Sequence, residues 1–341
     1  MPEQPAVQGA PRVLVAGATG FAGALAAQLL WRHPRFELVA VTGRSNLGRS
    51  LAELYPRYRV PLTVRSLEGD APEGIDAAIV AYPHAAAAPT VAALRARGTR
   101  VVDLSADFRL ASLSTYEQWY GPHPCPELLP EAAYGLTELH REQIAGAALV
   151  ANPGCYPTAA VLGLAPLARA GLIADVVIDA KQGVSGAGRG GGEEATHLSM
   201  AGENIVPYKV AEHRHTPEIE EQLALLGAQL RVQFQAHLVP LDQGELASCY
   251  VTPTREVDRE ELSELYRDAY AREPFVEVVD VPPGTRDVAG TNYCRVFAAA
   301  DRHTGKVVVL SAIDNLWKGT SSQAIQNLNA MFAFPETEGL L

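Results

Sequence analysis

The sequence predicts an α/β protein: a Rossmann-type parallel sheet domain followed by an α+β domain with a mixed or antiparallel sheet. Three observations carry this expectation. Through the first half, short apolar strands alternate with helix-forming stretches without hairpin signals between them, the pattern of a parallel sheet flanked by helices. A glycine-rich turn, Gly17-Ala18-Thr19-Gly20-Phe21-Ala22-Gly23, joins the first strand to the first helix. After Ala170 strands dominate, and His303-Thr304-Gly305 reads as a hairpin turn.

Taken in order, residues 12–16 form the first strand and 20–31 the first helix, with strands at 37–42 and 75–81. A helix over 85–97 leads to a strand at 100–104, and the apolar run 148–151 is a buried strand. In the second half, strands are expected at 175–181, 231–241, 246–252, 275–280, 293–300 and 306–313, with helices at 216–226 and 258–271. The last helix, from Ser321 to about Phe332, is amphipathic and suited to packing back on the first domain. The expected division is therefore 1–152 with 314–341, and 153–313.

Bulk properties bound the function. A chain of 341 residues with 48% hydrophobic and 20% charged residues is an ordinary globular protein of two-domain size. Its net charge of −11 argues against nucleic acid or acidic membrane surfaces as partners, which need clustered positive charge. Cys125, Cys155, Cys249 and Cys294 are widely spaced, without a CxxC pair or metal-ligand spacing, so they read as free thiols and no metal is expected. The start of the chain has no apolar signal core, and no run reaches the roughly 18 apolar residues of a membrane span. A cytoplasmic location is the expectation.

The glycines Gly17, Gly20 and Gly23 permit a tight turn, close approach of backbone to a pyrophosphate and close helix–strand packing. The phosphate would sit on the helix N-terminus. After the second strand comes Gly43-Arg44-Ser45-Asn46, with no acid to hold a ribose 2′-hydroxyl, so Arg44 and Ser45 favour NADP.

Cys155 is the candidate nucleophile. It follows the strand 148–151 and the turn Asn152-Pro153-Gly154, and Pro157 suits a first helical turn. A thiol over a helix N-terminus is favoured as thiolate; such settings bring a cysteine from about 8.5 down to roughly 3.5–7.5. Its candidate acid/base partners are His213 and His215, in His213-Arg214-His215-Thr216-Pro217-Glu218, with Thr216 and Pro217 as N-cap and first turn of a helix. Alternation along an extended segment would put both histidines on one side. Arg109, after the strand 100–104, suits a phosphate or carboxylate clamp. The glycine-rich loop with Lys181, Ser185 and Arg189 suits closure on an anionic substrate.

Together these segments, with Asp103–Arg109 and Ala312-Ile313-Asp314-Asn315-Leu316-Trp317-Lys318-Gly319, resemble the N-acetyl-γ-glutamyl-phosphate reductase family, related to aspartate-semialdehyde dehydrogenase. The resemblance spans nearly the whole chain. It implies NADPH-dependent reduction of N-acetyl-γ-glutamyl phosphate to the semialdehyde through a Cys155 thioester, in arginine biosynthesis. It further implies a homo-oligomer, a dimer or tetramer, with 153–313 as the catalytic and dimerisation domain. Arg109, Lys181, Ser185 and Arg189 would hold the substrate. The cofactor would be held by Gly17, Thr19, Gly20, Phe21, Ala22, Arg44, Ser45, Pro83, His84, Ser105, Gly186, Asn315 and Gly319. The histidine choice is open, with a slight preference for His213. Where the family usually carries a glycine after its Pro-His pair, this chain has Ala85, and the sequence leaves that loop's conformation open. The rival readings are a reductase of a carrier-linked acyl phosphate, for which an acidic chain offers little basic docking surface, and a non-catalytic NADP-binding regulator. A cysteine hydrolase would leave the glycine turn unused.

Overall fold

A computed structural model of the chain describes residues 9–67, 72–189 and 202–341. Two compact units form: Met1–Pro153 with Thr320–Leu341, and Gly154–Gly319. The first is built on strands β1 (Arg12–Ala16), β2 (Glu37–Thr42), β3 (Val64–Arg65), β4 (Ala77–Val80), β5 (Arg100–Asp103), β6 (Ala132–Tyr134) and β7 (Leu149–Ala151). They make one sheet in the order β3-β2-β1-β4-β5-β7-β6, parallel throughout. The strands are short apolar runs rather than alternating ones because both faces are covered: Val13 to Ala16, Ala77 to Val80 and Leu149 to Ala151 expose nothing. The strand order reverses direction between β1 and β4, which places a ligand crevice at their carboxyl ends.

The helix Ser322–Met331 belongs to this first unit and is buried on every side, polar residues included. Its polar face is hydrogen-bonded rather than solvated. Asn327 Nδ2 donates to Gly135 O at 2.9 Å and Asn152 Oδ1 at 3.0 Å, while Thr137 Oγ1 donates to Asn327 Oδ1 at 2.8 Å. This seam fixes Asn152, the residue that opens the turn leading to Cys155. Asp314–Gly319, expected with the first domain, fall instead in the second unit.

The second unit carries a mixed sheet in the order β12-β13-β14-β11-β8-β10-β9. Its strands are β8 (Ile173–Gly183), β9 (Val206–Tyr208), β10 (Gln233–Val239), β11 (Glu245–Pro253), β12 (Val276–Val278), β13 (Cys294–Ala300) and β14 (Val307–Ile313). The β13–β14 pair is antiparallel across the expected hairpin turn, whereas β8 and β10 are parallel. One face is packed by the helix Cys155–Arg169, buried from Tyr156 to Ala168. Pro166 inside it cannot donate to the carbonyl of Leu162. Tyr270 Oη donates there instead, and Tyr266 Oη donates to Gly163 O at 2.7 Å. No helix among the described residues is long and apolar enough to cross a membrane.

Candidate active site

Cys155 is the first residue of its helix, and Gly154 takes the N-cap position in an extended conformation without a side-chain cap. The first-turn N–H groups there favour an anion at the thiol. The thiol is half-buried, while Cys125, Cys249 and Cys294 are buried. Burial holds the Cys125 thiol up and pushes Cys249 to about 12, so neither is a nucleophile. Gln182 Nε2 donates to Cys155 Sγ at 3.1 Å. Gly186 makes room for that amide, since a Cβ there would lie 1.9 Å from Gln182 Nε2. Gly319 closes the other side; its Cβ would lie 2.8 Å from Cys155 Cβ.

The histidine segment is a turn, not the expected extended strand, and His215 rather than Thr216 occupies the N-cap position of the helix Thr216–Leu225. The turn still brings the imidazoles together, with ring centroids 4.9 Å apart. Both lie against Tyr156, the residue after the thiol, at 5.5 Å for His213 and 5.8 Å for His215. His213 is caged further by Tyr208 and Phe234, and its Nδ1 accepts the His215 N–H at 3.2 Å. Burial first, then the nearby Lys209 and Arg214 charges, push its pKa down to about 3, so it stays neutral. His215 is half-buried. Glu218, on the same helix, accepts the Gly154 N–H at 2.9 Å and ties the histidine segment to the turn before Cys155.

Among known families, residues 12–147 match the semialdehyde dehydrogenase NAD binding domain and residues 155–315 the semialdehyde dehydrogenase dimerisation domain. The chain is 50% identical to the N-acetyl-gamma-glutamyl-phosphate reductase of Desulforudis audaxviator, over 97% of this chain and 98% of that one. It is 49% identical to that of Moorella thermoacetica, over 96% of each. The chain belongs to the N-acetyl-γ-glutamyl-phosphate reductase family. The fold agrees with that of aspartate semialdehyde dehydrogenase II from Vibrio cholerae, at a TM-score of 0.75 and 18% identity over 95% of this chain and 98% of that one. It also agrees with the Candida albicans aspartate semialdehyde dehydrogenase solved with NADP, at a TM-score of 0.72 and 16% identity over 95% and 99%.

In this member of the reductase family the glycine turn has the geometry of a phosphate cradle. Gly17 has φ +88°, and a Cβ on it would lie 2.6 Å from Ala81 O; one on Gly23 would lie 2.3 Å from Gly17 O. A Cβ on Gly20 would meet only an ordinary contact, with Gly17 O at 3.7 Å. The helix behind it, Phe21–Arg32, has no side-chain cap and no acid in its first turn, which leaves its N-terminus to an anion. The turn is pinned from outside: Tyr55 Oη donates to Thr19 O, the Tyr55 ring meets Phe21, and Ser321 Oγ donates to Ala22 O. Past β2, Arg44 lies over the Tyr82 ring at 4.7 Å and donates to Ala86 O, with Arg44 and Ser45 both exposed. These residues fit a 2′-phosphorylated nucleotide.

The Pro-His loop forms a turn. Ala85 takes φ +61°, a left-handed conformation that glycine would adopt freely. Asp107 holds it, accepting Ala85 N–H at 2.7 Å and Ala88 N–H at 2.9 Å. Pro83 O accepts the Ala86 and Ala87 N–H groups, and His84 packs edge-on against Tyr120. Ser105 is buried and donates to Asp103 at 2.5 Å.

The expected substrate residues divide. Arg109 lies in the first unit, its guanidinium donating to Asn152 O at 2.8 Å and Leu104 O at 2.7 Å, so it braces the turn before Cys155. Arg189 is exposed at the start of the glycine-rich stretch, whose residues 190–192 lie outside those described. Ser185 and Asn315 are buried and bonded to each other at 3.1 Å; Ser185 also donates to Asp242 O, and Asn315 Oδ1 accepts from Gly244 N at 2.7 Å. They clamp the end of β8 to the start of β11. Lys181, expected to hold substrate, lies elsewhere on β8. Strand alternation puts it on the face of β8 opposite to Gln182, where it pairs with Asp179 at 2.6 Å, so it does not join the thiol. Gln182, Tyr156, Glu218 and Glu245 were not among the sequence candidates. A polar residue in phase with buried apolar ones, as Gln182 is with Ile178 and Ala180, is the signal that reveals such groups.

Proposed function

We propose that the chain reduces N-acetyl-γ-glutamyl phosphate with NADPH to N-acetylglutamate semialdehyde and phosphate, with Cys155 as the nucleophile. The reaction class follows from family membership at about half identity over the full chain length. The observation that carries the residue assignment is Cys155 Sγ on an uncapped helix N-terminus, with the Gln182 amide donating to it at 3.1 Å. Sulfur attacks the acyl carbon, phosphate leaves and a thioester remains. Bound NADPH supplies the hydride that turns the thioester into a thiohemiacetal. The Gly154 N–H is already taken by Glu218 and the Thr158 N–H by Gly154 O, so the N–H groups of Cys155 and Tyr156 are the donors left for the carbonyl oxygen as charge develops. His215 is the proton carrier in this reading, against the sequence preference for His213. The buried, neutral, internally bonded His213 orients its neighbour.

The glycine turn, Arg44 and Ser45 hold NADP in this account. A homo-oligomer formed through the second unit is the assembly it implies, as the dimerisation-domain match suggests. The test is NADP reduction with N-acetylglutamate semialdehyde and phosphate, for the wild type and Cys155→Ser. Phosphate-dependent turnover that disappears in the variant is the expected outcome. Turnover that survives would remove Cys155 from the mechanism, and no turnover in the wild type would point to a carrier-linked substrate.

A further inference from the structure

Glu245 opens β11 in a place where a carboxyl group has no structural reason to be. In register it lies between Gln182 of β8 and Ile313 of β14. Its strand face also carries Ala247, Cys249 and Val251, and all four residues are fully buried. Neither carboxyl oxygen has a hydrogen-bond partner of proper geometry. The polar group within reach is the Cys155 thiol, close enough to favour the carboxylate though not aligned with it. The cross-strand neighbour Gln182 donates to the same sulfur at 3.1 Å. Two inward-facing polar side chains on adjacent strands thus converge on one reacting atom. A buried carboxyl group left without partners opposes folding, and a group kept on such terms is expected where chemistry needs it.

We propose that Glu245 is a second proton-carrying catalytic residue: its carboxylate takes the Cys155 thiol proton as the sulfur attacks and returns it when the sulfur leaves. The inference rests on the thioester reading above. As the S–H bond breaks, an O–H bond forms on Glu245, and the sulfur electron pair makes the C–S bond. Phosphate leaves with the C–O pair and takes its proton from His215. After hydride addition the alkoxide re-forms the carbonyl, the C–S pair returns to sulfur, and Glu245 reprotonates it. Solvent reprotonates His215, which thereby supplies the one proton the net reduction consumes. Glu245 recycles its own.

The groups facing Glu245 are Cys155 and Tyr156 on the helix, Gln182 on β8 and Asp314 just past β14. Burial, with a smaller push from Asp314, raises the carboxyl to about 8 against the pull of the thiol contact. That lies close to the upper end of the roughly 3.5–7.5 range of a thiol on a helix N-terminus, so a proton passes between the two groups at little cost.

Alkylation of Cys155 by iodoacetamide, followed against pH with Cys155→Ser as the blank, reads the pair without substrate or nucleotide. A shared proton predicts that thiol reactivity rises in two steps in the wild type and in a single step in Glu245→Gln, which keeps the size but cannot carry the proton. The same variant should lower kcat/KM for the acyl phosphate about a hundredfold, and Glu245→Asp should recover part of the loss. A single-step profile shared by wild type and Glu245→Gln, with unchanged kcat/KM, overturns the proposal and leaves the thioester reading standing. If Glu245→Gln does not fold, the wild type and Glu245→Asp decide it, one step in both being the contrary result. A two-step profile in an enzyme without turnover would contradict the reading of the reaction instead.

Discussion

Gly186 carries more of the site than its lack of a side chain suggests. The Gln182 amide occupies the space a Cβ would take, so Gly186→Ala must displace the donor on Cys155 Sγ. We expect kcat to fall by roughly tenfold to a hundredfold, the effect of losing about 1.5–3 kcal/mol of hydrogen bonding to a charged sulfur, with the fold intact by circular dichroism. An unchanged kcat would show that the amide does not act on the thiolate. Ala85 is the converse case, a side chain where glycine fits better. Its left-handed backbone is held by Asp107, which also accepts the Tyr116 hydroxyl at 2.8 Å. Ala85→Gly should therefore stabilise the protein by about 1 kcal/mol, measured by denaturant unfolding, because removing the Cβ relieves more than the added chain entropy costs.

The helix Cys155–Arg169 shows what a local pattern can and cannot announce. Asn152-Pro153-Gly154 and Pro157 are turn and first-turn residues whose preferences act within a few positions, and that made the place of Cys155 legible. Pro166 announced a missing hydrogen bond, but not that Tyr270, over a hundred residues on, supplies the replacement donor. Tyr270→Phe should cost about 1–3 kcal/mol by leaving the Leu162 carbonyl buried and unpaired, read as a lower denaturation midpoint at unchanged slope. The same limit hid Gln182 and Glu245. Their meeting at Cys155 depends on the register of β8 against β11, which no local signal sets. Reading β11 as starting at Leu246, one residue late, left Glu245 outside the strand whose inward face it shares. The two histidines come to one side as expected, but on a turn rather than on an extended segment.

Across the whole molecule, buried titratable groups set how stability depends on pH. Asp103 in the first unit and Glu245 in the second have carboxyls pushed up by burial, to about 7 and about 8. The folded protein holds these protons more tightly than the unfolded chain, so their contribution is full below the unfolded carboxylate range and is lost as pH rises through 7 and 8. His213 works in the opposite sense. Its pKa near 3 means its contribution is full above its unfolded value of 6.5 and is lost as pH falls towards 3. Thermal unfolding should therefore give a Tm that declines from near neutrality into the alkaline range, with Glu245→Leu raising Tm and flattening the decline; a Tm rising steadily to alkaline pH would contradict this. The covalent intermediate on Cys155 has one direct test. With semialdehyde and NADP but no phosphate, hydride transfer should stop at the thioester, so rapid mixing should show a burst of NADPH equal to the enzyme sites, with Cys155 acylated by mass spectrometry. Adding phosphate should restore turnover. No burst and no acylated Cys155, beside undiminished turnover with phosphate, would contradict the thioester account.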